Sequence, residues 1–165
     1  MTISFRPMTA DDWTSVAEIY REGIETGHAT FQQDIPKWEE WDKDHMKSCR
    51  IVALLEHEIV GWAALTAVSG RCVYAGVAEV SVYISKKHRG QKIGTQLLDK
   101  LIGESERNNL WTLQAGIFPE NKASLRIHEE LGFRKVGHRE KIGKMHGIWR
   151  DTILLERRSN MVGID

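Results

Sequence analysis

The hydrophobic positions of the chain follow two different periods, and the period changes from one segment to the next. Residues 77 to 84, VAEVSVYI, alternate apolar and polar side chains, which predicts a β-strand. From Ile93 to about residue 108, apolar side chains recur every three or four positions, which predicts an amphipathic helix. The apolar runs, periods and turn residues elsewhere predict strands at 2–7, 51–56, 59–68, 111–117, 133–139 and 148–156, and helices at 10–23, 35–47 and 121–131.

The order of these elements predicts the fold class. One strand and two helices precede three strands, and a helix, a strand, a helix and two strands follow. This order favours an α/β fold of the α+β type, in which helices pack on the faces of a mixed sheet. A chain of 165 residues can bury a substantial core, and it contains no repeat or linker. We therefore expect a single domain over residues 1–165.

Helix ends carry their own signals. Pro36 stands at a plausible first helical position, because proline lacks the N–H that a first turn leaves unpaired. Gly132 follows the helix 121–131 in the position where a left-handed residue ends a helix. Trp38 and Trp41 are three residues apart, and we expect them in the core or at a dimer contact.

Composition narrows the classes of function. Lys and Arg together number 23, as do Asp and Glu, so the overall charge does not favour binding to nucleic acid or to a membrane surface. Cys49 and Cys72 are too few for a disulfide framework, and the seven histidines show no metal-binding spacing. The first residues contain no apolar signal segment, and no apolar run approaches the ~20 residues of a membrane span. We expect a cytoplasmic protein without a catalytic metal.

One loop concentrates the candidate chemistry. Residues 86 to 95, KKHRGQKIGT, join the strand 77–84 to the next helix. A helix N-terminus binds anions through unpaired N–H groups and the helix dipole, and Gly90 and Gly94 leave room for a phosphate near those amides. The cations in the loop are Lys86, Lys87, Arg89 and Lys92. The spacing does not match the GxxxxGK[ST] or GxGxxG loops, and a solvated surface loop is the alternative.

A longer run around this loop is similar to a known motif. EVSVYISKKHRGQKIGTQLL, residues 79–98, resembles motif A of the GCN5-related N-acetyltransferases. In that motif a strand is followed by (Q/R)xxGx(G/A) and by a helix that binds the pyrophosphate of coenzyme A. Arg89, Ile93 and Gly94 fit the pattern, whereas Lys92 stands where the family usually has its first glycine. A lysine there can still offer its backbone N–H and add a cation, provided that its φ is negative.

A second segment supports the same resemblance. NKASLRIHEELGF, residues 121–133, resembles motif B of this family, N-x-x-S-x-x-x-[Y/H]-x-x-x-G-F. Asn121, Ser124 and His128 are three and four residues apart, so they form one polar stripe on a helix. Because Lys122 and Arg126 already supply an exposed side, this stripe is available for a ligand; an exposed stripe without a ligand is the alternative.

Further pieces point to one subgroup of the family. The segments IETGHATFQ, WEEW, AEVSVYI, ASLRIHEELGF and GKMHGIWRD are similar to phosphinothricin and methionine sulfoximine or sulfone acetyltransferases, and a histidine at position 128 is typical of them. The resemblance implies the GNAT fold, with a mixed central sheet of about seven strands and helices on both faces. It also implies acetyl-CoA as co-substrate, a small amino-acid-like acceptor and a homodimer.

Acetyl transfer to an amine requires a base, an oxyanion donor and a proton for the departing thiolate. Glu79, a carboxylate on an otherwise apolar strand, is the predicted base, acting directly or through water; exposure of this strand face to water is the alternative. The resemblance implies that the backbone of Val82 and Ile84 binds the pantetheine arm, with Val82 N–H as oxyanion donor, and that His128 is the acid. The other predicted cofactor-binding residues are Arg89, Gly90, Gln91, Lys92, Ile93, Gly94, Thr95, Asn121 and Ser124.

Three residues are predicted to bind the acceptor. Arg71 and Tyr74 align with an arginine and a tyrosine of the subgroup's acceptor site, and Phe31 is expected to pack on the acceptor's aliphatic part. The alternatives are a surface turn for Arg71 and core positions for Phe31 and Tyr74. Two other functions stay open at this point: acetylation of protein N-termini, polyamines or aminoglycosides, and non-catalytic binding of acyl-CoA. A nucleic-acid-binding module is the least favoured class.

Overall fold

The computed structural model describes residues 2–165 and has the predicted order of elements. Its strands are β1 (Ile3–Pro7), β2 (Ile51–Leu55), β3 (Glu58–Ala67), β4 (Val77–Ile84), β5 (Thr112–Ile117), β6 (Arg134–Met145) and β7 (Ile148–Arg158). Its α-helices are α1 (Trp13–Glu25), α2 (Trp38–Asp44), α3 (Ile93–Arg107) and α4 (Lys122–Glu130).

The seven strands form one mixed sheet in the order β1-β2-β3-β4-β5-β7-β6. Every neighbouring pair is antiparallel except β4 and β5, which run parallel. The chain segment between β4 and β5 contains α3, as a parallel connection requires a long crossover. The predicted mixed sheet is confirmed.

Helices cover both faces of the sheet. On one face α1 and α2 enclose an aromatic cluster in which Trp41 is 1% exposed, so the tryptophans of α2 belong to the core. On the other face the leucines of α3 pack with α4 on the central strands. Side chains of β4 point alternately into these two cores: Val80 and Val82 pack on the α3 side, and Tyr83 packs on the α1 side.

Three predicted boundaries were wrong for local reasons. Residues Ala10–Asp12 form a 3₁₀ turn, in which Thr9 and Asp12 cap each other, and the α-helix starts only at Trp13. Pro36 lies outside α2, which begins at Trp38 after an extended Lys37 with φ −73° and ψ 156°. β6 extends to Met145, because its pairing with β7 resumes at Gly143 after a register shift that follows Arg139. Gly132 has φ +92°, as predicted for a residue that ends a helix.

Candidate functional site

An opening in the sheet begins where β4 and β5 separate. The two strands pair only through Val77–Glu79 and Thr112–Gln114. β4 then continues to Ile84 and β5 to Ile117 without further pairing between them. Glu79 is therefore the last residue of β4 that pairs with β5.

The pairing of β3 with β4 determines which backbone groups face this opening. Ser85 N donates to Val60 O at 2.8 Å, directly after the pair of Ile84 with Gly61. In an antiparallel ladder only alternate residues bond to the partner strand, so Ile84 and Val82 turn their N–H and C=O groups away from β3. These groups lie on the side that β5 has left, and an extended ligand with amide groups can pair with them like an added strand.

Glu79 lies at the start of the opening with one carboxylate oxygen engaged. Gln114 Nε2 of β5 donates to Glu79 Oε1 at 3.3 Å. The other oxygen forms no hydrogen bond within residues 2–165, so it is available to accept a proton. The side chain is half-buried rather than fully exposed on the strand. Sequence reasoning missed Gln114, whose only signal is a polar residue in the middle of an apolar strand.

The loop before α3 has the backbone geometry of an anion site. Gly90 has φ +78° and Lys92 has φ +64°, and the helical conformation begins directly afterwards at Ile93. A left-handed residue next to helical ones turns successive N–H groups toward one point, which creates a concave anion-binding nest. The first-turn amides of α3 extend the same surface. This geometry fits a pyrophosphate group.

The cations of the loop are free to act on such a ligand. All four, which are Lys86, Lys87, Arg89 and Lys92, are exposed, and none forms an ion pair in the described part of the chain. One contact within the loop and one with α1 hold the loop in place. Ser85 Oγ lies 2.6 Å from His88 Nδ1, and Lys86 N donates to Glu22 Oε1 at 3.2 Å.

The φ of Lys92 is positive, at +64°. The condition of a negative φ, under which a lysine could offer its backbone N–H at this position, is therefore not met. This angle explains the glycine that the family usually has here, because an L-residue pays a steric cost in the left-handed region and glycine does not. Lys92 therefore adds a cation to the nest but strains the backbone that forms it.

Replacing Lys92 with glycine is expected to raise the free energy of unfolding by about 0.5–1 kcal/mol. The left-handed penalty of ~1–2 kcal/mol disappears, and the greater freedom of glycine in the unfolded chain offsets part of the gain. Urea unfolding measures the change. Lys87→Gly is the matched control, because Lys87 has no positive φ, and it is expected to lower the stability. A less stable Lys92→Gly protein contradicts the assignment of strain.

The polar stripe of α4 is present, but most of its polar groups form hydrogen bonds within the helix itself. Asn121 Oδ1 accepts from Ser124 N at 3.2 Å and caps the helix. His128 is 5% exposed, and its Nδ1 lies 2.7 Å from Ser124 O. A carbonyl oxygen can only accept, so Nδ1 carries the proton and donates it.

The protonation of His128 bears on its predicted role as an acid. Burial lowers the pKa of the imidazole below its ordinary value, which makes the ring neutral at pH 7. Its Nε2 is then an acceptor, buried and without a hydrogen-bond partner. In this state the ring has no free proton to give to a thiolate.

The predicted acceptor residues fall into two groups. Arg71 and Tyr74 lie together in the loop between β3 and β4, where Arg71 Cζ is 5.8 Å from the centre of the Tyr74 ring, and both are exposed. Phe31 is 36% exposed and packs edge-on against Phe118, with ring centres 4.9 Å apart. Neither a hydrogen bond nor an aromatic contact joins Phe31 to Arg71 or Tyr74 within residues 2–165.

Sequence reasoning missed the residues that surround Phe31. Arg150 of β7 has its Cζ 4.1 Å from the centre of the Phe118 ring, and its side chain is only 13% exposed. A cation in an alternating strand ordinarily faces water, so the pattern alone gives no reason to place Arg150 at a site.

Residues 2–165 contain neither of two other classes of site. No three or more His, Cys, Asp or Glu side chains in this range come together in a way that could hold a metal ion. No helix in the same range has the length and the apolar character needed to cross a membrane.

Comparison with known proteins gives one consistent result. Residues 13–133 match the acetyltransferase (GNAT) family. The chain is 30% identical to phosphinothricin N-acetyltransferase of Streptomyces viridochromogenes, over 94% of this chain and 87% of that protein. It is 25% identical to an L-methionine sulfoximine/L-methionine sulfone acetyltransferase of Pseudomonas aeruginosa, over 94% of both chains.

A solved structure has the same fold along the whole chain. It is a phosphinothricin acetyltransferase from Sinorhizobium meliloti in complex with acetyl-CoA. The similarity has a TM-score of 0.89 at 30% sequence identity, and it covers 100% of this chain and 92% of the other.

Proposed function

The chain belongs to the acetyltransferase (GNAT) family and is an acetyl-CoA-dependent N-acetyltransferase, and on that premise we propose that it acetylates the α-amino group of a small amino acid or analogue. Methionine sulfone, methionine sulfoximine and phosphinothricin are the acceptors that this proposal names. Its relatives among the phosphinothricin and methionine sulfoximine/sulfone acetyltransferases support this substrate class.

The observation that carries the proposal is the opening between β4 and β5. Glu79 lies at its start, and the unpaired backbone groups of Val82 and Ile84 lie along it. The anion nest at Gly90 and Lys92 follows at the far end of the same strand. One extended thioester ligand with a pyrophosphate can therefore contact all three features, with its acyl end toward Glu79.

Two proposed catalytic roles use groups of β4 at this opening, Glu79 and the backbone N–H of Val82. Glu79 removes the proton of the acceptor ammonium, directly or through water, so that the amine can attack the thioester carbonyl. The Val82 N–H donates to the oxygen on which negative charge develops. His128 was predicted to protonate the thiolate, but its Nδ1 is bonded to Ser124 O and its buried Nε2 carries no proton and has no hydrogen-bond partner. The departing thiolate then takes the second proton of the amine, which the nitrogen releases as the C–N bond forms and the C–S bond breaks.

The acceptor side of the proposal rests on Arg71, Tyr74 and Phe31. A guanidinium suits a carboxylate or phosphinate group, because its paired N–H donors match two oxygens. Arg71 forms no ion pair within the described residues, so its donors are available. Phe31 offers a partly exposed ring to the aliphatic part of the acceptor.

A screen of thiol release tests the acceptor class. Acetyl-CoA is mixed with the protein and with one amine at a time: natural amino acids, methionine sulfone, methionine sulfoximine, phosphinothricin, polyamines, aminoglycosides and peptides. Release that depends on the amino-acid analogues supports the proposal. If thiol is released only with polyamines, aminoglycosides or peptides, the acceptor belongs to that class and not to the amino acids. Tight binding of coenzyme A without thiol release in the presence of any amine supports a non-catalytic module.

The proposal includes a homodimer formed through β6 and β7. β6 is the edge strand of the sheet, and most of its 12 residues are exposed. Ile142, Ile148 and Trp149 on these strands are 52%, 64% and 56% exposed. A long exposed edge with apolar side chains favours pairing with an identical edge across a two-fold axis.

Replacing Trp149 with arginine is expected to convert this dimer into a monomer. Sedimentation equilibrium of the unmodified protein should give twice the 18.9 kDa of one chain, and the variant should give one chain mass at the same concentration. Met161→Arg is the matched control, because Met161 is 72% exposed but lies outside both strands. A monomeric unmodified protein, or equal dissociation by both variants, contradicts the proposed interface.

A further inference from the structure

Arg150 connects three distant parts of the chain at one point beside Phe31. Its Nη1 donates to Gly27 O at 2.9 Å, and its Nη2 donates to His28 Nδ1 at 3.0 Å. Nη2 also lies 3.4 Å from Glu120 Oε2, before α4. The guanidinium also lies over the Phe118 ring, so its N–H groups form hydrogen bonds while its face contacts the aromatic ring.

The segment that Arg150 holds, residues 27–31, has no regular secondary structure of its own. We call it the acceptor segment, because Phe31 is its last residue. It leaves α1 through a left-handed Gly27 with φ +74°. A second tether comes from Asn121 Nδ2, which donates to His28 O at 3.2 Å.

Phe31 depends on this arrangement for its position. Its ring packs on Phe118, and the guanidinium of Arg150 lies over the same Phe118 ring. A Cβ at Gly143 would lie 2.8 Å from Phe31 Cζ, so β6 closely limits the ring on another side. Arg150 therefore fixes the backbone before Phe31 and the aromatic surface beneath it.

We propose that Arg150 is a positioning residue for acceptor recognition, which holds the acceptor segment so that Phe31 forms one wall of the acceptor site. This inference rests on the proposed function, in which Phe31 contacts the acceptor. None of the hydrogen bonds of Arg150 involves the loop between β4 and α3. Loss of Arg150 should therefore weaken the binding of the acceptor and leave the binding of acetyl-CoA unchanged.

The test combines kinetics with a measurement that needs no substrate. Arg150→Lys keeps the charge but loses the planar set of donors, and Arg150→Leu loses both. Arg126→Leu is the control, because Arg126 is exposed on α4 without an ion pair in the described chain. Steady-state kinetics give KM for each substrate, and hydrogen exchange gives the protection of the amides of residues 27–31.

Both Arg150 variants are expected to show about tenfold faster exchange in the acceptor segment, since charge-assisted hydrogen bonds restrain it. KM for the acceptor should rise about tenfold or more, and Arg150→Lys should be the milder variant. KM for acetyl-CoA and the exchange of α3 should match those of the control. The same Kd for coenzyme A in all variants shows that they are folded.

Three results separate the possibilities. Unchanged exchange at residues 27–31 overturns the inference, whatever the kinetics show. Faster exchange with an unchanged acceptor KM also overturns it, because Arg150 then has only a structural role. If the unmodified protein acetylates no amine of the panel, the proposed function fails and this inference fails with it, whereas an active protein with insensitive variants contradicts this inference alone.

Discussion

Replacing Glu79 with glutamine is expected to lower kcat about 10²- to 10⁴-fold at pH 7, which is the usual contribution of a positioned base. The substitution keeps the size of the side chain, and a glutamine oxygen can still accept from Gln114 Nε2. The fold and the binding of coenzyme A should therefore be preserved. The loss should shrink as the pH rises above about 8, because a growing fraction of the acceptor amine is then already neutral.

Stopped-flow or steady-state thiol release from pH 6.5 to 9.5 measures this effect. Glu58→Gln is the matched control, since Glu58 is exposed at the first residue of β3 and should leave kcat unchanged. If Glu79→Gln keeps the activity of the unmodified protein, Glu79 is not the base. An equal loss at every pH contradicts proton removal and indicates that the side chain only shapes the site.

A negative charge at position 90 is expected to weaken the binding of acetyl-CoA about 30-fold. The nest at this position presents N–H groups for a pyrophosphate, and two like charges ~4–6 Å apart repel by several kcal/mol before solvent screening. Gly90→Asp introduces the charge. A Cβ at residue 90 would meet no protein atom within 4 Å, so the substitution causes no clash within the protein.

Gly90→Asn provides the matched control for this experiment. Asparagine and aspartate have nearly the same shape, and both tolerate the left-handed φ of +78° better than most L-residues. Calorimetry with coenzyme A should give a much larger Kd for Gly90→Asp than for Gly90→Asn, with a difference that decreases as salt is added. Equal Kd values for the two variants would mean that no phosphate lies near the loop.

Much of the architecture could be predicted because the pattern of β4 and α3 is strongly periodic. The strict alternation of VAEVSVYI gave the bounds of β4, Val77–Ile84, and the apolar stripe after Ile93 gave the start of α3. Both elements bury one side on the same core, so their patterns are constrained by packing. The position of Glu79 on β4 followed from that alternation. Its partner Gln114 did not, since pairing between strands distant in sequence has no local signal.

The features that could not be predicted depend on backbone angles and long-range contacts. The positive φ of Lys92 contradicts the usual preference of lysine, and only the surrounding loop imposes it. The bulge of β6 breaks the alternation after Arg139, so the pattern predicts that the strand ends there. Arg150 contacts Gly27 across 123 positions of sequence, a distance over which composition and periodicity carry no information.

Acetyl transfer to an α-amino group is tested most directly by the product that the unmodified protein forms. The protein is incubated with acetyl-CoA and methionine sulfone, and the mixture is analysed by mass spectrometry and NMR while the released thiol is counted. We expect one N-acetyl group on the α-nitrogen for every thiol released. Binding of coenzyme A with no acetylated product from methionine sulfone, methionine sulfoximine or phosphinothricin would contradict it.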